Sequence, residues 1–134
     1  MASQARRENV TYEATFGNAK AFFTVDENAQ GAPIGLWLVL HPADAEEDVI
    51  VWANQWAILA SKLLQAGYDL EALVDSMLFT RFEPAGVVRS EYGAIKIVTS
   101  PLDWAGRILA INYLGRADLD HSAPHDPPNG EPLG

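Results

Sequence analysis

Between Ser100 and Arg116 the chain reads as a helix with almost no polar face, and such a helix has to be enclosed by the rest of the fold. Its start is plainly marked. Ser100 supplies a hydroxyl at the N-cap, Pro101 stands where a missing N–H costs nothing, and Asp103 places a carboxylate three residues on, able to reach back to the cap. Leu102, Ala105, Leu109, Asn112 and Tyr113 share one face, while Trp104, Ile108 and Ile111 fill much of the remainder. The helix is therefore expected to be mostly buried, with the preceding elements packed around it.

Those elements are legible in order. Val10, Tyr12, Ala14 and Phe16 alternate with Thr11, Glu13 and Thr15, the period of a half-buried strand. Gly17-Asn18 is a tight-turn pair, and Ala19 to Val25 follows as the second arm of a β-hairpin. After the polar loop Asp26 to Gly31, the segment Ile34 to Leu40 is apolar on both faces and suits a central or covered strand. Asp44 with Glu47 forms a cap for a long helix that runs to Gly67, in which Val49, Trp52, Trp56, Leu59 and Leu63 recur at helical spacing and are expected to lie on the sheet. Asp69 caps a second helix with the stripe Leu70, Leu73, Val74, Met77 and Leu78. The loop Thr80 to Gly86, Val87 and Val88, a turn at Glu91-Tyr92-Gly93 and a short Ile95 to Val98 segment lead into the final helix.

Strands followed by helices indicate α+β: an antiparallel β-meander, then two helices, a loop with a short strand, and the buried C-terminal helix. Residues 1–9 are expected to be a flexible arm, 10–116 a single domain, and the Pro-rich stretch 117–134 a disordered tail.

The formal charge is −9, from 18 acids against 9 Lys and Arg, so a basic patch for nucleic acid or for an anionic membrane is not expected. There is no cysteine, which removes thiolate catalysis, thiolate metal ligation and dithiol relays. No signal peptide or bilayer-length apolar run occurs, and a cytoplasmic protein is expected. His41, His121 and His125 lack metal-ligand spacing, and no phosphate-cradling glycine motif is present. No catalytic residue, metal or cofactor is assigned; a pairing of Glu83 with His41 as acid and base has no support from spacing.

Arg81 and Glu83 stand out in an uncommon loop, bracketed by Phe79 and Phe82 and stopped by Pro84, with Thr80 able to bond locally. One reading is a recognition loop whose arginine fork clamps an anionic group, with Lys96, Thr99 and Arg107 near it. The other has Arg81 pairing with an acid on a neighbouring helix and pinning the loop to the core. Trp52 and Trp56, one turn apart on a helix that also carries Val51 and Ile58, are core residues or a partner surface, which in a small module includes a homodimer contact.

The block FTRFEPAG from Phe79 to Gly86, with Ile95-Lys96, Thr99-Ser100, Leu102-Asp103, Arg107, Leu109-Ala110, Tyr113-Leu114, Arg116, Asp118-Leu119 and His121, resembles the C-terminal, TSCPD-type region of adenosylcobalamin-dependent class II ribonucleotide reductases. The likeness runs from about Val10 to His121. Full reductases of this class work through a large barrel with radical-forming and reducing cysteines and a cobalamin site. The resemblance therefore implies a non-catalytic, free-standing homologue: a protein-binding accessory or regulatory module whose partner is a cobalamin-dependent reductase subunit. The alternative is a sensor of a nucleotide or other small anion built on the Arg81 loop.

Overall fold

The computed structural model describes residues 8–42 and 47–122. Three antiparallel strands, β1 (Glu8–Phe16), β2 (Ala19–Glu27) and β3 (Pro33–Pro42), form one sheet in the order β1-β2-β3. Then come α1 (Glu47–Gln65), α2 (Leu70–Met77), a two-stranded pair of β4 (Gly86–Val87) and β5 (Ile97–Val98), α3 (Pro101–Tyr113) and a 3-10 turn at Ala117–Leu119. The α+β meander expected from the sequence is the observed architecture.

Glu8 and Asn9, assigned to the arm, belong to β1, where the Asn9 amide donates to Asp26 Oδ1 at 2.7 Å. Residues 1–7 of the arm, Asp44 and residues 123–134 of the tail lie outside the described residues. The hairpin turn is tight because Gly17 and Asn18 both take positive φ, 58° and 63°, the twist that antiparallel arms prefer. Gly17 has a second reason to lack a side chain: a Cβ there would sit 2.9 Å from the Ala85 backbone and the Pro84 side chain, so the turn presses directly on the loop after α2.

One face of the sheet carries the core. Ala14 and Phe16, then Ala21, Phe23 and Val25, then Leu36, Leu38 and Leu40 all point into it and are buried. Across them lies α3, with the Trp104 ring tilted against Phe16 (centroids 5.6 Å apart) and Phe23 (6.3 Å). Trp104, Ala105, Ile108 and Leu109 are enclosed as the sequence required, and burial stabilises each large side chain by about 1.5–3 kcal/mol. Against α3 packs α2 through Leu73, Val74 and Met77. The two helices approach so closely that a Cβ on Gly106 would lie 2.9 Å from Met77 Cβ.

The long helix departs from expectation. On α1 the buried residues are Ala53, Ala57 and Ala60, whereas Trp52 is 72% exposed and Leu59 59%. The stripe expected on the sheet from its helical spacing is not the one that meets it, because a helix comes nearer to a strand through alanines. Closeness matters because β3 is the edge of the sheet. Ser61 Oγ accepts the Leu36 amide proton at 2.8 Å and Gln65 Nε2 donates to the Ile34 carbonyl at 3.1 Å, so α1 satisfies an edge that would otherwise be open to pairing. The outer face of β3 leaves Trp37 and Val39 exposed. At the opposite edge Thr15 exchanges two backbone hydrogen bonds with Arg89, and Ser90 Oγ donates to the Glu13 carbonyl.

The chain beyond Arg116 was expected to be tail, yet structure continues: Leu119 is buried and the His121 amide donates to the Ala94 carbonyl at 2.7 Å. No helix among the described residues is long and apolar enough to cross a membrane.

Candidate functional site

The loop from Phe79 to Gly86 joins the end of α2 to β4, and the N-terminus of α3 meets it from the other side. Ser100 caps α3 as its sequence predicts, its hydroxyl accepting from the Asp103 amide at 2.8 Å. Asp103 does not return the bond to the cap amide. Its Oδ1 instead accepts the Phe79 amide proton at 2.8 Å, while Oδ2 accepts from the Thr99 amide at 3.0 Å and from Arg107 Nε at 3.1 Å. The carboxylate is fully buried and the Arg107 side chain nearly so. An ion pair taken out of water survives only when its remaining donors and acceptors are met. Here the free acceptor sites of the carboxylate are met by backbone on both sides of the loop.

Around this pair the hydroxyls close a chain. Thr80 Oγ1 donates to the Met77 carbonyl at 2.8 Å and stands 2.6 Å from Ser100 Oγ, while Thr99 Oγ1 donates to the Thr80 carbonyl at 2.7 Å and the Phe82 amide to the Thr99 carbonyl at 3.1 Å. Phe79 is held at φ 65°, a left-handed conformation that bulky residues rarely adopt. The Asp103 carboxylate on its amide and the Arg107 guanidinium stacked 5.1 Å from its ring centre keep it there. His121 completes the rim: Nδ1 accepts the Lys96 amide proton at 2.9 Å, so Nε2 carries the ring proton and its 3.3 Å approach to Arg107 Nη1 is a contact rather than a hydrogen bond. Among the described residues no buried side-chain nitrogen or oxygen lacks a partner.

Of the residues singled out in the sequence, Thr80, Thr99 and Arg107 thus come together in a closed polar cluster. Arg81 and Glu83 do not join it. Both are exposed, and among the described residues Arg81 makes no ion pair or hydrogen bond, so the acid expected to pin it is not there. They line an open groove with Phe82, Ile97 and the edge of Thr99. Beside it the β4–β5 pair turns Val87 (66% exposed) and Ile97 (55%) outward. Lys96 is exposed and meets the cluster through its backbone alone. Trp52 and Trp56 lie elsewhere, on α1, where they line an apolar groove with Val49, Phe82 and Leu102.

The hub role of Asp103 was missed when it was read as a cap alone. The signal was present: an Asp and an Arg four apart in a helix otherwise apolar all round must pair inside. The part of His121 depends on a contact 25 residues away and has no local signal. No group of three His, Asp or Glu is gathered for a metal ion among the described residues.

Over 116 residues, 87% of its length, the chain is 40% identical to a vitamin B12-dependent ribonucleotide reductase of Agrobacterium fabrum. Over 119 residues, 89% of its length, it is 37% identical to one of Bradyrhizobium diazoefficiens. The chain is a homologue of one domain of these reductases. It spans 9% of the length of each relative. No family model and no solved structure matches it. The resemblance drawn from the FTRFEPAG block and the residues around α3 is thus a kinship with reductases over 87% to 89% of the chain, and the closed cluster joins Phe79 and Thr80 of that block to Thr99, Ser100, Asp103 and Arg107.

Proposed function

We propose that this reductase homologue is a non-catalytic, protein-binding domain that docks on a vitamin B12-dependent ribonucleotide reductase through the face formed by the Arg81 loop and the β4–β5 pair. The observation that carries the reading is the division within the motif. Thr80, Thr99, Ser100, Asp103 and Arg107 spend their polar groups on one another and on nearby backbone, whereas Arg81 is exposed in the groove that Phe82 and Ile97 also line, with no internal partner among the described residues. An arginine flanked by exposed apolar side chains is the composition of an interface anchor. Kinship to a domain that the relatives carry within a much longer chain supports a reductase as what it meets.

The test is a calorimetric titration of the chain into a purified vitamin B12-dependent reductase. Saturable binding that Arg81→Ala or Val87→Asp weakens by about tenfold or more is expected, since truncating an anchor costs about 1–2 kcal/mol or more. No heat and no co-sedimentation with the reductase would sink the reading.

A second reading follows from the same unpartnered guanidinium: capture of a nucleotide or other small anion in the groove of Arg81, Phe82 and Thr99. A ligand that binds only the folded chain raises its melting temperature by mass action, so nucleoside phosphates would shift it in this case and leave it unmoved in the first.

A further inference from the structure

The outer side of α1 carries a pattern that the docking face above does not use. Val51, Trp52, Ile58 and Leu59 are all exposed large apolar residues, and they sit on the side of the helix opposite the alanines that meet β3. The stripe is symmetric about Gln55. Three and four residues before it stand Trp52 and Val51, and three and four after it Ile58 and Leu59. Seven residues before it is Asp48, and seven after it is Lys62, the one base of the helix. Among the described residues neither Asp48 nor Lys62 has an ion-pair partner.

We infer that a second copy of this chain covers the stripe, its α1 lying antiparallel on this one about a two-fold axis at Gln55. An isologous contact demands that a surface complement itself: a residue at one distance from the axis must suit the residue at about the same distance on the other side. Trp52 then meets Leu59 of the second copy and Val51 meets its Ile58, the residues that lie beyond the axis on the same side of the helix. Asp48, about 10 Å along the helix from the axis, meets Lys62 of the second copy, and the same pair forms again at the other end. Glu47 reinforces the acidic end. A foreign helix has no need of such matching, and opposite charges equally spaced from the centre favour the chain itself as occupant. The apolar groove of Val49, Trp56, Phe82 and Leu102 flanks the stripe on one side and extends the dry surface. The stripe itself shares no residue with the docking face, and its flanking groove borders that face at Phe82.

A net charge of −9 per copy opposes association at low salt, so the test is made at about 0.15 M salt, where screening acts within about 8 Å. Sedimentation velocity of the full chain from about 5 to about 500 µM should show a monomer–dimer equilibrium, as a contact of this size gives a weak dimer. Trp52→Glu should abolish the dimer without changing the melting temperature by more than a few degrees. Asp48→Lys and Lys62→Glu should each weaken it by about tenfold or more, because each sets like charges at both ends. An equimolar mixture of the two sets opposite charges at both ends and should restore association. A monomer throughout overturns the inference, as does a dimer indifferent to Trp52→Glu. A mixture no tighter than its components overturns the antiparallel register.

Discussion

The loop after α2 and the first turn of α3 hold two kinds of polar group a few residues apart. Asp103 and Arg107 are enclosed and paired, and the Asp103 carboxylate accepts from the backbone of Phe79 and Thr99; Arg81 and Glu83 are in solvent. The first set fixes a left-handed Phe79 and thereby the path of the loop, and the second is what that path displays. Shared membership of one sequence motif therefore says nothing about shared work. A motif shared with a larger protein can be half scaffold and half surface, and burial separates the halves.

The comparison breaks most visibly at the hub. Asp103→Ala leaves the Arg107 guanidinium buried without a counter-charge and strips the Phe79 and Thr99 amides of their acceptor, at a cost of about 3–5 kcal/mol, to be read from the midpoint of urea unfolding. Gly106→Ala is next. Its new Cβ meets Met77 Cβ at 2.9 Å, close to the α2 backbone where little can yield; the overpacking cost of about 1–3 kcal/mol should exceed the gain in helix propensity of about 1 kcal/mol, and the variant should melt lower.

A smaller effect belongs to the opposite end of α3. The Tyr113 hydroxyl donates to Glu27 Oε2, and burial together with that carboxylate raises its pKa above the ordinary 10.0. Tyr12 and Tyr92, whose rings meet edge to face at 5.0 Å, are raised by burial and by neighbouring negative charge. The folded state holds these protons more tightly than the unfolded chain, so their contribution is intact below pH 10 and declines as pH rises above it. Alkaline titration of stability should show this loss, and Tyr113→Phe should flatten it. Last comes Arg81→Ala. Removing an exposed, unpartnered side chain should change stability by no more than about 0.5 kcal/mol. A drop comparable to that of Asp103→Ala would mean that the loop leans on Arg81 after all, and the contrast between scaffold and surface would fail.

Much of this is legible in the residues themselves. The hairpin followed from Gly17-Asn18, the caps at Asp69 and Ser100 from residue types that can satisfy a helix end, and the buried α3 from an apolar circumference with nowhere polar to turn. Each rests on interactions within a few residues, which the sequence carries in full. What it did not carry was distance between elements. That Asp103 would serve Phe79, 24 residues away, that His121 would return to Lys96, and that α1 would seat its alanines rather than its tryptophans on β3 are outcomes of packing. The sequence alone determined the type and order of the main elements and which of their faces are apolar. Only the tertiary structure decided which apolar face is used, because close approach at a sheet edge rewards small side chains and leaves the large ones for something else to cover.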